Sequence, residues 1–251
     1  MIPLPLTFAL FTSTRGHFGR DTYQTTVNDW LHQLPVGWGG LRANVKWEPN
    51  QEAKRDEMRE WLAGKGFEVT TPCQSWKHHD SSHQEGYLAD MMLMTSQITT
   101  PYYLHIEDDM ILRGDEPIER YLAESIDLLE DNPDLVQVRF ARWANEFERL
   151  KGLKAKHNID ANPVEKDGSI AHRDWSNNPF IARTRDVRAA LRFLFLTNLP
   201  RHSEHGLGAV MKILGHPEQP FFTPSPHEVR CRHIGTLPGE EDPLDQPIYS
   251  T

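Results

Sequence analysis

Three consecutive acidic residues, Glu107, Asp108 and Asp109, follow a short apolar run and are the side chains that point most clearly to chemistry. If residues 100–112 form a strand, side chains alternate between its faces, so Glu107 and Asp109 share one side and Asp108 lies on the other. Two carboxylates at the end of a strand supply the hard oxygen ligands that Mg²⁺ and Mn²⁺ prefer. A divalent metal site is therefore the leading interpretation, and a solvated acidic turn is the alternative.

Alternating strands and helices are expected to position this acidic triplet. Apolar patterns predict strands at residues 4–12, 41–47 and 67–71, and helical spacing predicts helices at 27–34, 51–64 and 84–98. Such alternation is typical of a parallel sheet with helices packed on it. Ligands bind open α/β sheets at the carboxyl ends of the strands, which is where the triplet follows its own strand.

The second half of the chain continues this pattern with longer polar stretches between its elements. Helices are predicted at residues 115–130, 187–194 and 203–214, and strands at 135–140, 169–175 and 229–235. A basic and aromatic stretch and then a polar loop separate the strand at 135–140 from the strand at 169–175. An α/β chain is predicted throughout.

The composition is that of a globular protein. With 251 residues and 38% hydrophobic content, the chain can form one large domain, or one domain with a small appendage. No apolar run approaches the length that crosses a bilayer, and the N-terminus lacks the features of a signal peptide. Cys73 and Cys231 are too few and too far apart for a disulfide framework or a thiolate zinc site. We therefore expect a cytoplasmic protein with ordinary thiols and no membrane insertion.

Charge is distributed unevenly along the chain. The net charge of -9 argues against a general nucleic-acid binder. Residues 139–201, however, hold 13 Lys and Arg against 7 Asp and Glu, and the rest of the chain holds 14 against 29. The basic segment is compatible with a polyanionic partner on one face, and a solvated surface is the alternative.

The central block of the chain resembles a known family. Gly86, Ala89 and Asp90 on a helix, followed by a buried strand and the acidic triplet, resemble nucleotide-sugar glycosyltransferases with the GT-A fold, of the family 2 type. In that family a loop and helix hold the nucleotide, and a triplet that is usually Asp-x-Asp holds the metal bridging the sugar diphosphate. Glu107 departs from this pattern but keeps a carboxylate. The resemblance implies a Rossmann-like, mostly parallel central sheet with helices on both faces.

The resemblance also implies the domain organisation. One GT-A glycosyltransferase domain is expected over residues 1–236, with a nucleotide-sugar half at 1–140 and an acceptor half at 141–236. Residues 237–251 form an acidic, proline-rich tail.

The donor side of the site follows from the same resemblance. Glu107, Asp109 and the late His233 are expected to hold Mn²⁺ or Mg²⁺, although a surface histidine is the alternative for His233. The metal would bind a nucleoside-diphosphate sugar, with a UDP-sugar as the leading donor. Asp108, facing away from the metal, is expected to contact sugar or ribose hydroxyls.

Residues on other elements complete the nucleotide side. Thr12 follows the first strand, Arg20 precedes the first helix, and Asp90 lies on the helix before the acidic strand. The resemblance implies that all three lie near the nucleotide.

The acceptor half contains the remaining candidates. Trp175 can stack on a sugar ring while Asn177 or Asn178 binds hydroxyls; a core tryptophan beside an Asx turn is the alternative. Glu204 is the candidate base toward the acceptor hydroxyl and His205 its substitute, although glutamates are common in first turns because the helix dipole favours them. An acid at this position favours inversion of the anomeric centre.

The expected activity is transfer of a hexosyl or pentosyl group to an acceptor hydroxyl. The basic segment is compatible with a hydroxymethylated pyrimidine in DNA, as in phage DNA glycosyltransferases, which would then act in the host cytoplasm. A glycan or lipid-linked acceptor is the second possibility. A sugar nucleotidyltransferase is a third, although residues 12–19 contain only two glycines and form no glycine-rich phosphate loop. A noncatalytic carbohydrate- or nucleic-acid-binding protein is the remaining class.

Overall fold

The computed structural model of the chain describes most of the predicted elements. The described residues are 4–14, 21–34, 38–72, 80–112, 118–133, 135–140, 164–166, 169–171, 179–197, 199, 203–214, 221–223 and 231–234. The predictions for Arg20, Trp175, Asn177 and Asn178 lie outside these residues, as do those for the tail at 237–251.

The elements follow the predicted alternation, with additional short strands. The helices are α1 (Tyr23–Gln33), α2 (Glu52–Gly64), α3 (Asp80–Gln97), α4 (Ile118–Asp131), α5 (Thr184–Leu196) and α6 (Ser203–Ile213). The strands are β1 (Leu4–Ser13), β2 (Trp38–Lys46), β3 (Glu68–Thr70), β4 (Tyr102–Glu107), β5 (Met110–Leu112), β6 (Gln137–Arg139), β7 (Val164–Lys166), β8 (Ser169–Ala171), β9 (Phe180–Arg183), β10 (Phe221–Thr223) and β11 (Cys231–His233).

Within the described residues, nine strands form one mixed sheet in the order β3-β2-β1-β4-β9-β6-β10-β8-β7. Parallel pairing joins β3 to β2, β2 to β1 and β1 to β4, whereas β9 is antiparallel to both of its neighbours. Five of the first six strands therefore run in one direction. The prediction of an α/β protein with a mostly parallel central sheet is confirmed.

Helices cover both faces of the sheet because the side chains of its strands alternate. Leu6, Phe8 and Leu10 of β1 belong to a core that also contains residues of α1, α2 and α4. Ala9 and Phe11 belong to a second core shared with α3, α5 and α6. Burying one side chain of this size contributes roughly 1.5–3 kcal/mol, so the two apolar layers hold the helices to the sheet.

The antiparallel strand β9 is the main difference from the sequence prediction, which placed no strand between residues 175 and 187. All four of its residues are buried, since β9 lies between β4 and β6 with helices over both faces. A strand buried on both faces shows no alternation of apolar and polar residues, so periodicity does not reveal it.

Two smaller differences concern the ends of elements. The helix predicted from residue 84 begins at Asp80, and the two short strands β5 and β11 form a separate antiparallel pair. Across the part of the chain that the structure describes, no helix is both long and apolar enough to span a bilayer.

Candidate functional site

The acidic triplet lies at the end of β4, at the point where the order of the strands in the sheet reverses direction. From β1 the chain proceeds to β2 and β3 on one side, whereas β4 pairs with β1 on the other side. Phe11 of β1 lies opposite Glu107 of β4 in register, so both strands end at the same edge. In open α/β sheets the crevice at such a switch point is where ligands bind.

A hydrogen bond links the end of β1 to the triplet at this edge. The Thr12 hydroxyl donates to Asp108 Oδ2 over 2.6 Å, and both residues are buried. The Thr26 hydroxyl of α1 donates to the backbone carbonyl of Asp108 over 2.8 Å. Asp108 is therefore held from two elements, and its side chain faces β1.

Only the first residue of the triplet belongs to the strand. The strand β4 stops at Glu107, while Asp108 and Asp109 form a turn into β5, so the predicted alternation of faces ends at Glu107. Asp109 is 1% exposed. The turn joins two strands of different sheets, so its backbone conformation positions the side chain and neighbouring elements fix that conformation.

Helix α1 supplies this support. The Trp30 indole N–H donates to the backbone carbonyl of Met110 over 2.7 Å, and Asp29 Oδ2 accepts from the backbone N–H of Leu112 over 2.6 Å. Burial raises the pKa of Asp29, although the Leu112 hydrogen bond favours its ionised form. Both contacts anchor β5 and therefore the turn that precedes it.

Glu107 lies on the opposite face and contacts α3. The Tyr87 hydroxyl donates to Glu107 Oε1 over 2.9 Å and lies 2.8 Å from His105 Nε2. The imidazole of His105 is fully buried, with ring centroids 4.5 Å from Phe11 and 4.6 Å from Phe180. Burial lowers the pKa of His105 to about 3, so the ring is neutral near pH 7.

Neither Tyr87 nor His105 was a candidate site residue in the sequence analysis. The available signal was strand alternation, because His105 and Glu107 are two residues apart and therefore share a face.

Asp90 lies next to a lysine that the sequence analysis also missed. Lys46 Nζ is 3.5 Å from Asp90 Oδ2, and the two side chains are 13% and 11% exposed. Gly86 makes room for this lysine, since a Cβ there would lie 3.0 Å from Lys46 Nζ. Lys46 ends β2 and pairs in register with Ser13 of β1, so the ion pair lies at the same edge of the sheet as the triplet.

The backbone brings His233 to the triplet, as the sequence analysis expected of the last strand. In the β5–β11 pair, His233 lies opposite Met110, and the backbone N–H of Ile234 donates to the carbonyl of Asp109 over 2.7 Å. For Glu204 the structure gives the position of the first turn of α6, which packs against α3 and α5. The side chains of His233, Glu204 and His205 lie outside the described residues.

Carboxylate oxygens are the ligands that a hard divalent cation prefers, and Glu107 and Asp109 supply them at this edge. The backbone of His233 lies opposite that of Met110 in the β5–β11 pair. Among the side chains that the structure describes, no group of three or more His, Cys, Asp or Glu residues is gathered closely enough to hold a metal ion. A metal ion at this edge would therefore need a donor beyond those side chains, and His233 is a candidate because its strand pairs with β5 next to Asp109.

A cavity of about 470 Å³ lies at the other edge of the sheet, where β4 begins. Arg183 and Arg188 line it, but both guanidinium groups are engaged by backbone carbonyls. Arg183 donates to the carbonyls of Leu129, Asn132 and Leu135, and Arg188 to those of Thr95 and Ile98. These arginines of the basic segment serve as helix C-terminal caps for α4 and α3.

No model of a known protein family matches this chain, and no curated protein is similar to it. The likeness to nucleotide-sugar glycosyltransferases is therefore a resemblance of residues and of their order along the chain.

Proposed function

We propose that the protein is a metal-dependent glycosyltransferase that moves a sugar from a nucleoside diphosphate to an acceptor hydroxyl. One observation carries this proposal: the Thr12–Asp108 hydrogen bond joins the carboxyl ends of β1 and β4, with the acidic triplet at the switch point of the sheet. This is the edge where open α/β sheets bind their ligands. A GT-A type fold is part of the proposal, and the mostly parallel sheet with helices on both faces supports it.

The proposed metal ligands are Glu107, Asp109 and His233, with Mn²⁺ or Mg²⁺ as the cation. A bound divalent cation stabilises the negative charge that develops on the departing diphosphate. The chain's own residues orient this site: Tyr87 contacts Glu107, and α1 anchors the turn that carries Asp109. Asp108 is oriented by Thr12 and is proposed to contact sugar or ribose hydroxyls.

The nucleotide is proposed to occupy the crevice on the β2 side of the triplet. Asp90 and Lys46 are adjacent there, so a largely buried ion pair lies near the proposed phosphate-binding edge. Thr12 contributes to the same crevice, and Arg20 is proposed to approach from the loop between β1 and α1. A UDP-sugar is the proposed donor.

The acceptor side is proposed to include Trp175, Asn177 and Asn178, with Glu204 as base and inversion as the outcome. The proposed acceptor is a hydroxymethylpyrimidine in DNA, for which the basic composition of residues 139–201 is the supporting observation. Binding of a neutral glycan acceptor would instead be indifferent to those charges. Binding of hydroxymethylated duplex DNA, measured against salt concentration for the wild type and for an Arg142, Lys151 and Lys154 triple variant, distinguishes the two.

The test of the activity is hydrolysis of a panel of nucleotide sugars with Mn²⁺, repeated after chelation with EDTA. We expect release of the nucleoside diphosphate from one donor, and its loss with EDTA. Asp109→Asn should lower this rate about 10²-fold, as expected when a charged group that stabilises the transition state is lost. Asp127→Asn, an exposed acid on α4, is the matched control and should leave the rate unchanged.

Three results would contradict the proposal. Turnover that persists in EDTA would show that no metal is needed. Equal rates in the two Asp→Asn variants would show that the triplet has no part in turnover. Pyrophosphate release from a nucleoside triphosphate and a sugar phosphate would instead favour the nucleotidyltransferase.

A further inference from the structure

We infer that His105, acting through Tyr87, is a positioning residue that fixes the Glu107 carboxylate. The inference rests on the proposed function, because it gives Glu107 a metal-binding role. It adds two residues on the sheet face opposite Thr12, neither of which would touch the metal or the donor.

The direction of the two hydrogen bonds follows from the chemistry of the groups. An ionised carboxylate only accepts, so the Tyr87 hydroxyl donates its proton to Glu107 Oε1 over 2.9 Å. The phenol oxygen then accepts from His105 Nε2–H over 2.8 Å. A continuous chain of donors therefore runs from the core to one oxygen of Glu107.

The surroundings of His105 hold this chain in one orientation. The imidazole is stacked against Phe11 at an interplanar angle of 29° and against Phe180 at 5°, so its ring plane is fixed from two sides. Phe180 comes from β9, where it lies opposite His105 in register. Strand β9, which sequence reasoning missed, therefore supplies one of the two aromatic rings that enclose the imidazole.

A purely structural role explains this histidine poorly. His105 Nδ1 is buried and has no hydrogen-bond partner within the part of the chain that is described. A phenylalanine would fill the same aromatic slot without burying an unpaired nitrogen, which carries an unfavourable desolvation cost. What the imidazole adds is the Nε2–H that Tyr87 accepts.

Fixing one oxygen of a metal-binding carboxylate is the usual function of an outer-shell partner. Such partners orient the ligand before the cation arrives, and their loss typically weakens metal affinity about 10–100-fold. Here Glu107 is the last residue of β4, and its side chain is longer than the aspartate that the family pattern usually has. A longer side chain has more rotamers to restrict, so it gains more from a fixed contact.

The experiment is a titration of the protein with Mn²⁺ alone, in which free Mn²⁺ is followed by electron paramagnetic resonance. We expect Tyr87→Phe to raise the Kd about tenfold. His105→Phe keeps the aromatic stack and should raise the Kd severalfold, whereas His105→Gln retains a side-chain N–H near the position of Nε2 and should restore most of the affinity. Because His105 acts only through Tyr87, the Tyr87→Phe/His105→Phe double variant should bind no more weakly than Tyr87→Phe.

Tyr103→Phe is the matched control. Tyr103 lies on β4, and its ring is edge-on to His105. Its hydroxyl is buried but has no hydrogen-bond partner among the described residues. Removing it should leave the Kd unchanged. Thermal unfolding of each variant shows whether the fold is kept.

The outcomes separate this inference from the function on which it rests. If the wild type binds Mn²⁺, Glu107→Gln does not, and Tyr87→Phe binds like the wild type, the inference is overturned and the proposed metal site stands. Additive losses in the double variant would also overturn it. If the wild type binds no Mn²⁺, or if Glu107→Gln binds equally well, the proposed metal site fails, and the inference fails with it.

Discussion

The Thr12 hydroxyl at the end of β1 donates to the carboxylate of Asp108, which lies 96 positions later in the chain at the end of β4. The contact joins two parallel strands at the edge of the sheet where the chain order reverses. Both residues are buried, so this hydrogen bond is largely shielded from water. The geometry of the acidic turn therefore depends on the first strand of the protein as well as on its own.

Thr12→Val should destabilise the protein, because the variant keeps the shape of the side chain but removes the donor to Asp108. A buried acceptor that loses its partner costs about 1–3 kcal/mol. Urea unfolding measures the loss, and Thr12→Ser, which keeps the hydroxyl, should recover most of it. Equal unfolding midpoints for Thr12→Val and the wild type would mean that this hydrogen bond does not hold the turn.

Arg183→Leu should lower the free energy of unfolding by about 3 kcal/mol or more, because a hydrogen bond to a charged group contributes roughly 1.5–3 kcal/mol. The buried guanidinium donates to the carbonyls of Leu129, Leu135 and Asn132 and pairs with Asp186 at 3.2 Å. Denaturant unfolding is the measurement.

The control for this change is Arg185→Gln. The Arg185 side chain is 82% exposed, so its replacement should alter stability by no more than about 0.5 kcal/mol. Losses of similar size in the two variants would show that Arg183 contributes no more to stability than a surface arginine does.

The stability of the wild type should fall in acid because of His105. Burial lowers its folded-state pKa to about 3, whereas a histidine in the unfolded chain titrates near 6.5. Below pH 6.5 the unfolded state therefore binds a proton that the folded state does not. The free energy of unfolding is therefore unaffected by the protonation of His105 above pH 6.5. It decreases as the pH falls toward 3, at up to about 1.4 kcal/mol per pH unit.

His105→Phe removes this titration. Between pH 6.5 and 5 the wild type should lose about 1–2 kcal/mol relative to the variant, measured by urea unfolding at each pH. Parallel pH profiles for the two proteins would show that the imidazole is protonated equally in the folded and unfolded states.

Gly86→Ala should separate stability from nucleotide binding. Alanine is favoured over glycine inside a helix by about 1 kcal/mol, so α3 should gain stability. The new Cβ would lie 3.0 Å from Lys46 Nζ, so the ammonium group must shift by a few tenths of an ångström, which alters its contact with Asp90. We expect UDP affinity, measured by calorimetry, to fall severalfold while the melting temperature holds or rises.

Gly64→Ala is the matched change at the end of α2, where a Cβ would meet no atom within 4 Å. It should leave UDP affinity unchanged. If Gly86→Ala also left UDP affinity unchanged, the Lys46–Asp90 pair would have no part in nucleotide binding.

Local pattern alone determined the order of the main elements and the place of the acids. The apolar alternation of β1, the helical stripes of α3 and α4, and an acidic triplet directly after a buried strand are all properties of neighbouring residues. Periodicity of this kind is local, so it can be recognised without knowledge of the fold. The sequence therefore indicated Thr12, Asp90 and the triplet as candidates, and the return of the last strand to the triplet was also anticipated.

Tertiary structure alone decided which side chains meet. The insertion of β9 beside β4, the contact of Lys46 with Asp90, and the chain from His105 through Tyr87 to Glu107 all join elements that are separate along the chain. Their physical cause is strand order and register, which follow from the packing of two apolar layers over the whole sheet. No short stretch of sequence contains that information, because every member of such a contact also fits a simpler local role.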